Sequence, residues 1–231
     1  MKSLLSVFIL FCSLCLKSQE IDSLKLREIY DFNLQQSNCY ENLRSLCKDI
    51  GHRLSGSKSA QKAVEWAELL MKNSNLDTVY LQQITVPHWE RGDVEKVYWK
   101  NINGKTVDVN CTALGGSVST NGIVNGEVVE IINWGQLEEF GKNKIKGKII
   151  FFNRVMNPTF INTGMAYGSC VDQRHSGASR AVEYGAIGVL VRSMTLKFDN
   201  IPHTGSMSYA DSTKKIPAVA ISTVDAVSYT H

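Results

Sequence analysis

An α/β fold is predicted for the second half of this 231-residue chain, with a helical segment ahead of it. Three observations predict it. Short apolar runs, Ile149-Ile150-Phe151-Phe152, Val189-Leu190-Val191 and Ala218 to Ile221, are separated by stretches long enough to hold helices. Glycine turns lead into two of them, at Gly147-Lys148 and at Gly185-Ala186-Ile187-Gly188. Upstream, Ala63, Trp66, Ala67, Leu70 and Met71 repeat at the helical period and form one apolar face.

The elements follow in chain order. Lys2 precedes a nearly unbroken apolar run from Leu4 to Leu16, which Lys17, Ser18, Gln19 and Glu20 end. That run is too short to span a bilayer as a helix but suits a signal peptide, so residues 1–19 are expected to be removed on export. The mature protein is then expected to be secreted or periplasmic, with no membrane association. Asp22 to Gln35 reads as a helix, and Asn38 to Ile50 as a second one closed by Gly51. The third runs up to Asn75. Val79 to Val86 reads as a strand closed by Pro87. Val94 to Trp99 and Thr106 to Cys111 read as a pair turning at Asn103-Gly104. Gly115 to Gly122 is a small-residue polar stretch and the best candidate boundary between two packed parts. Beyond it the expected order is a strand from Gly126 to Asn133, a helical turn from Gln136 to Gly141 and the strand Ile149 to Phe152. A helix from Arg174 to Tyr184 and the strands Val189 to Val191 and Ala218 to Ile221 complete it. Thr223 reads as the cap of a further helix, and the chain ends six residues after Asp225. An unfinished helix there reads as the start of a longer segment.

Composition narrows the function. Hydrophobic residues make up 43% of the chain, ordinary for a packed core. The net charge of +3 is small and spread out, with no basic run that would hold nucleic acid. Six cysteines become four after cleavage: Cys39, Cys47, Cys111 and Cys170. Cys39 and Cys47 share one helical stretch that would hold their Cα atoms about 12 Å apart, too far for a disulfide.

Several motifs come close to known chemistry and miss. Gly51 to Ser59 approaches a phosphate-binding loop, but Ser57 intrudes before Lys58 and a helix precedes it. Gly115 to Ser119 fails at the last position of a nucleophile elbow. Cys170 and His175 are near in sequence, yet nothing marks them as nucleophile and base. His52, His88, His175, His203 and His231 are scattered, and no two stand at ligand spacing, so no metal, catalytic or cofactor-binding residue is assigned. Asn110-Cys111-Thr112 is an N-glycosylation sequon in form.

Longer segments are more specific. Gly51-His52-Arg53-Leu54-Ser55-Gly56-Ser57 before a Trp-bearing helix, Val86-Pro87-His88-Trp89-Glu90-Arg91-Gly92, and Ala113-Leu114-Gly115-Gly116-Ser117-Val118 resemble the carboxypeptidase Q family of zinc exopeptidases. Gly147 to Ile150, Gly177 to Ala181, Gly185 to Val189, Ile201 to Gly205 and Lys215 to Ile221 resemble the protease-associated (PA) domain inserted in that family. The resemblance implies an α/β protein in which the N-terminal helices and strand of a zinc-exopeptidase (phosphorylase/hydrolase-like) domain are joined to an inserted PA domain. The implied domains are residues 1–19 signal peptide, 20–117 N-terminal part of the peptidase domain, 118–223 PA domain and 224–231 return to the peptidase domain. The implied activity is removal of terminal residues from peptides or dipeptides by a pair of zinc ions, with a Glu as general base. In the family those ligands follow the PA insert, so no zinc is expected in this chain, and it is expected to be inactive alone. The rival reading is a stand-alone PA-type binding module. The oligomeric state is left open.

Overall fold

A computed structural model describes residues 21–100, 103–210 and 214–230 of the protein. The expected signal peptide, residues 1–19, lies outside the described residues. The chain divides between His88 and Trp89 into two compact units.

The first unit is helical where it is regular. Helix α1 covers residues 21–36. Helix α2, Cys39–Ser45, runs into a π-helical turn at Leu46–Ile50, which Gly51 closes at φ 80°. Helix α3, Lys58–Lys72, starts where the Ser57 hydroxyl accepts from the Ala60 amide at 3.2 Å. The glycine loop that resembles a phosphate site is thus the lead-in to a capped helix. Asn75, at φ 53°, lies just past the end of α3, as the sequence predicts. None of these helices buries a residue fully: Leu24, Phe32, Leu69 and Met71 are all exposed. The predicted strand from Val79 to Val86 is not formed. Its residues are without regular structure, and Leu81 and Ile84 are exposed. A strand exists only through its ladder, and this one has no partner among the described residues. Cys39 and Cys47 are both free and exposed.

The second unit carries the α/β fold. A hairpin of β1, Val97–Lys100, and β2, Thr106–Val109, precedes β3, Cys111–Ala113. Then come β4 Val128–Ile131, α4 Trp134–Ile145, β5 Ile149–Phe152, α5 Thr163–Gly168, α6 Asp172–His175, α7 Gly177–Glu183, β6 Gly188–Arg192, β7 Ala218–Ile221 and α8 Thr223–Thr230. The five-stranded sheet has the order β3-β7-β6-β5-β4. β4, β5, β6 and β7 are parallel, and β3 closes one edge antiparallel to β7.

Alternation along the strands sorts side chains into two cores. Ile150, Phe152, Val189, Val191, Ala218 and Ala220 face α4 and α7, where Leu137, Ile145, Ala178 and Ala181 cover them. Phe151, Leu190 and Ile221 point the other way, against Val97, Trp99 and Val109 of the hairpin and Ala226 and Tyr229 of α8. Helices therefore cover one face, and a hairpin with one helix covers the other.

Elements of the second unit also differ from the sequence expectation. The expected helix from Arg174 to Tyr184 breaks at Ser176 into α6 and α7. The cause is packing: a Cβ on Gly177 would lie 2.8 Å from the Phe152 ring, so the chain passes the core strand at glycine. Helix α4 extends beyond the predicted turn and kinks at Gly141. Ser222, not Thr223, caps α8: its hydroxyl accepts from the Asp225 amide at 3.0 Å and donates to the Asp225 carboxylate at 2.6 Å. The sheet also reaches back across Gly115–Gly122, since β3 lies ahead of that stretch.

Candidate functional site

Ligand sites in open parallel sheets gather beyond the carboxyl ends of the strands. Here that edge presents Asn153 and Arg154 after β5, Ser193 after β6, and Trp134 just past β4, beside Glu130 and Arg192 at the strand ends.

Two polar groupings form there. In one, Asn153 donates to Glu130 at 2.5 Å and accepts from Arg192 at 3.1 Å. Burial pushes the Arg192 guanidinium below its ordinary value, with Glu130 opposing. In the other, Asp172 accepts from Arg154 Nη1 at 2.7 Å and from Trp134 Nε1 at 2.6 Å. Burial works against its ionisation, but the hydrogen bonds and the Arg154 charge outweigh it and hold the carboxyl below the usual range. Arg154 and Arg180 both lie over the Trp134 ring, at 5.5 and 4.2 Å from its centroid.

Helix α6 is seated on this edge by Gln173, which is fully buried. Its amide oxygen accepts from the Arg154 N–H and its amide nitrogen donates to the Arg154 carbonyl, both at 2.9 Å. Gln173 thus completes the backbone pairing where β5 ends. The next residue, Arg174, donates to the Tyr167 hydroxyl at 2.5 Å and lies against Gly205.

The Asp172 pairing has a pH signature. A carboxyl held below its unfolded value near 3.8 stabilises the fold while ionised. That contribution is full above about pH 5 and fades as pH falls through the lowered value. Asp172→Asn should therefore melt below the wild type at pH 7, with the gap closing below about pH 4. Melts at half-unit intervals from pH 7 to 3 check this, and a constant gap would refute it.

The near-misses of the sequence resolve simply. Cys170 is buried, its thiol points at the Ala166 and Tyr167 carbonyls, and burial pushes it up, so it is no nucleophile. His175 is exposed, with its Nδ1 3.4 Å from Ser176. His88 Nδ1 lies 2.9 Å from the Gly56 carbonyl. Asn110 of the sequon donates its side-chain amide to Asp225 at 3.0 Å. Among the described residues no three His, Cys, Asp or Glu side chains come together as metal ligands. The donor set described does not fit a zinc centre. No described helix is long and apolar enough to cross a membrane.

What the second unit offers is recognition chemistry: guanidinium groups fixed at a sheet edge. No single sequence motif announced it, because Trp134 comes from the β4–β5 connection and Arg154, Asp172 and Arg174 from separate parts of the β5–β6 connection.

Comparison with known proteins fixes the relationship. No family model matches the chain. Carboxypeptidase Q from Xenopus laevis is 34% identical over 193 residues, which are 83% of this chain and 38% of that protein. The chain is carboxypeptidase Q-like. The mouse and human carboxypeptidase Q proteins are each 32% identical over 83% of this chain and 38% of theirs. The chain thus spans about two fifths of the length of the curated relatives it matches. A peptidase M28 precursor from Shewanella amazonensis superposes with a TM-score of 0.76 at 31% identity, over 89% of this chain and 46% of that one. The zinc aminopeptidase of Bacillus subtilis shares the fold at a TM-score of 0.51 and 21% identity, over 83% of this chain and 40% of its own. The expected α/β class holds, in a fold shared with the peptidase M28 precursor.

Proposed function

We propose that this chain is part of an exported zinc metallo-exopeptidase that removes residues from peptides or dipeptides. The observation that carries the reading is the carboxypeptidase Q similarity, which runs through 83% of the chain. In this reading residues 20–117 open the peptidase domain, residues 118–223 are the PA domain, and residues 224–231 return to the peptidase domain. A co-catalytic zinc pair would bind residues outside those described here. The PA domain would roof the cleft and narrow access to it.

The exposed helices of the first unit favour this reading over a stand-alone binding module. A bare PA domain does not need them, and helices that leave Leu24, Phe32 and Leu69 in water are shaped to cover something. The 231-residue chain alone is expected to hold no stoichiometric zinc and to hydrolyse no peptide. A fusion continuing it with the remaining segment of a carboxypeptidase Q relative is expected to gain both zinc and exopeptidase activity. Elemental analysis and a dipeptide-release assay read the two outcomes. One or two tight zinc ions in the 231-residue chain, lost on His88→Ala or His175→Ala, would overturn the proposal.

A further inference from the structure

We propose that the amino edge of the parallel sheet is a binding surface for a linear anionic polysaccharide, built from two lysine segments that the fold brings together. The inference is independent of the peptidase reading. It assigns no reaction, and it uses the edge opposite to the polar groupings at the carboxyl ends of the strands.

Lys142, Lys144, Lys146 and Lys148 recur at every second residue where α4 ends and β5 begins, and Lys214 and Lys215 lead into β7. Neither segment alone is long enough to mark a polyanion site. β5, β6 and β7 are parallel neighbours, so their amino ends open on one edge. The register sets Ile149 level with Gly188, and Val189 level with Ala218. Lys148 and Lys215 therefore leave that edge within one residue of the same level, two strand spacings or about 10 Å apart. The α4–β5 turn is fixed in place. Gly147, at φ 75°, donates its N–H to the Gly185 carbonyl at 2.9 Å, and the Lys148 N–H donates to the Ile145 carbonyl at 3.0 Å. A Cβ on Gly185 would lie 3.2 Å from the Lys146 side chain. Lys146 thus rests on the turn into β6, the strand between the two lysine segments.

Lys142, Lys144, Lys146, Lys214 and Lys215 are all exposed, and none forms an ion pair with a carboxylate among the described residues. Lys148 alone is paired, with Glu127. Lys142 and Lys144 in the last turn of α4 also complement the helix dipole, but Lys214 and Lys215 stand on no helix. Cations gathered within about one screening length repel one another, and a row of external anions relieves that repulsion. Lysines are mobile point charges without a fork, so they suit repeated anions along a chain better than one fixed group. Clustered lysines of this kind are the footprint of polyanions, nucleic acid or sulfated polysaccharide. The aromatic rings here favour the polysaccharide. Lys144 Nζ lies 4.3 Å from the Phe140 centroid and Lys215 Nζ 5.8 Å from the Tyr209 centroid, so each ring carries a cation instead of a stacked base.

The test titrates a fluorescein-labelled heparin decasaccharide, as the sulfated probe, with the 231-residue chain and reads anisotropy. Binding is expected at about 50 mM sodium chloride and should weaken steeply by about 150 mM, as counterion release requires. Replacing Lys142, Lys144 and Lys146 together by Gln should weaken binding about tenfold or more and flatten the salt dependence. The pair Lys214→Gln and Lys215→Gln should weaken it about threefold or more. Lys48, Lys58 and Lys62 of the first unit, replaced together by Gln, remove the same charge as the first variant and should leave the affinity within twofold. Near-UV circular dichroism establishes folding, and the Lys214/Lys215 pair carries the test if the triple variant does not fold. Absence of binding at the lower salt, or an equal loss in the Lys48/Lys58/Lys62 variant, would overturn the surface. Tighter binding of a single-stranded DNA of equal charge, or of phosphatidylglycerol vesicles, would overturn the polysaccharide class.

Discussion

A protein that begins at Trp89 is expected to unfold cooperatively in urea, whereas one that begins at Val118 is expected to lose a single sharp transition and to bind a hydrophobic dye. Both keep every parallel strand, so the comparison isolates what residues 89–117 contribute. The shorter chain lacks β3, and with it the antiparallel pairing of Cys111, Thr112 and Ala113 to β7. It also lacks Val97, Trp99 and Val109, which cover Phe151, Leu190 and Ile221. Leu114, 1% exposed in the opposite core, is gone too. Val109 and Leu114 are buried and Val97 and Trp99 partly so; at about 1.5–3 kcal/mol for each fully buried side chain, their loss is comparable with the stability of an ordinary domain. Specific clamps add to the loss. Ser117 Oγ accepts from the Ala218 amide at 2.9 Å, and the Asn110 N–H donates to Asp225 Oδ2 at 2.9 Å. Equal cooperativity of the two proteins would show that Gly115–Gly122 is the true boundary.

That experiment also locates where sequence reasoning worked. Ile149 to Phe152 and Ala218 to Ile221 were legible because a continuous apolar run bounded by glycine, lysine or proline admits few other structures. The strand at Val79 to Val86 had a similar pattern and failed, since β propensity reports fitness for a pleated surface and not the presence of a partner. The α6–α7 break was hidden for the opposite reason. Ser176-Gly177 reads as a weak spot in a helix, and only the approach of Phe152 turns it into an interruption. The candidate site is a matter of long-range pairing. Arg174 and Gly205 are remote in sequence, and nothing in either segment states that one will lie on the other. The available signal was Ile201 to Gly205, singled out as a family-like segment without a physical reason; its contact with Arg174 supplies one.

The second large effect expected is at Asp225, where substitution by alanine should destabilise the second unit by about 3 kcal/mol or more. Asp225 is buried, and a single oxygen, Oδ2, accepts from the Asn110 backbone at 2.9 Å, the Asn110 side chain at 3.0 Å and the Ser222 hydroxyl at 2.6 Å. Ser222 N–H in turn donates to the Asn110 carbonyl at 3.0 Å. The carboxylate therefore joins the β2–β3 junction to the start of α8, the two ends of the sheet's connectivity. Alanine strands three donors at once, among them the Ser222 hydroxyl that caps α8. Asp225→Asn tests the charge separately. It keeps the volume and one acceptor, and should cost about 1 to 2 kcal/mol, less than alanine. The same geometry gives the sequon a structural task, since Asn110→Gln must move the amide away from Asp225 and should itself destabilise by about 1 kcal/mol. Urea midpoints for the variants, with the slope held common, measure these differences. If Asp225→Ala unfolds at the wild-type midpoint, the three hydrogen bonds do not hold the unit closed.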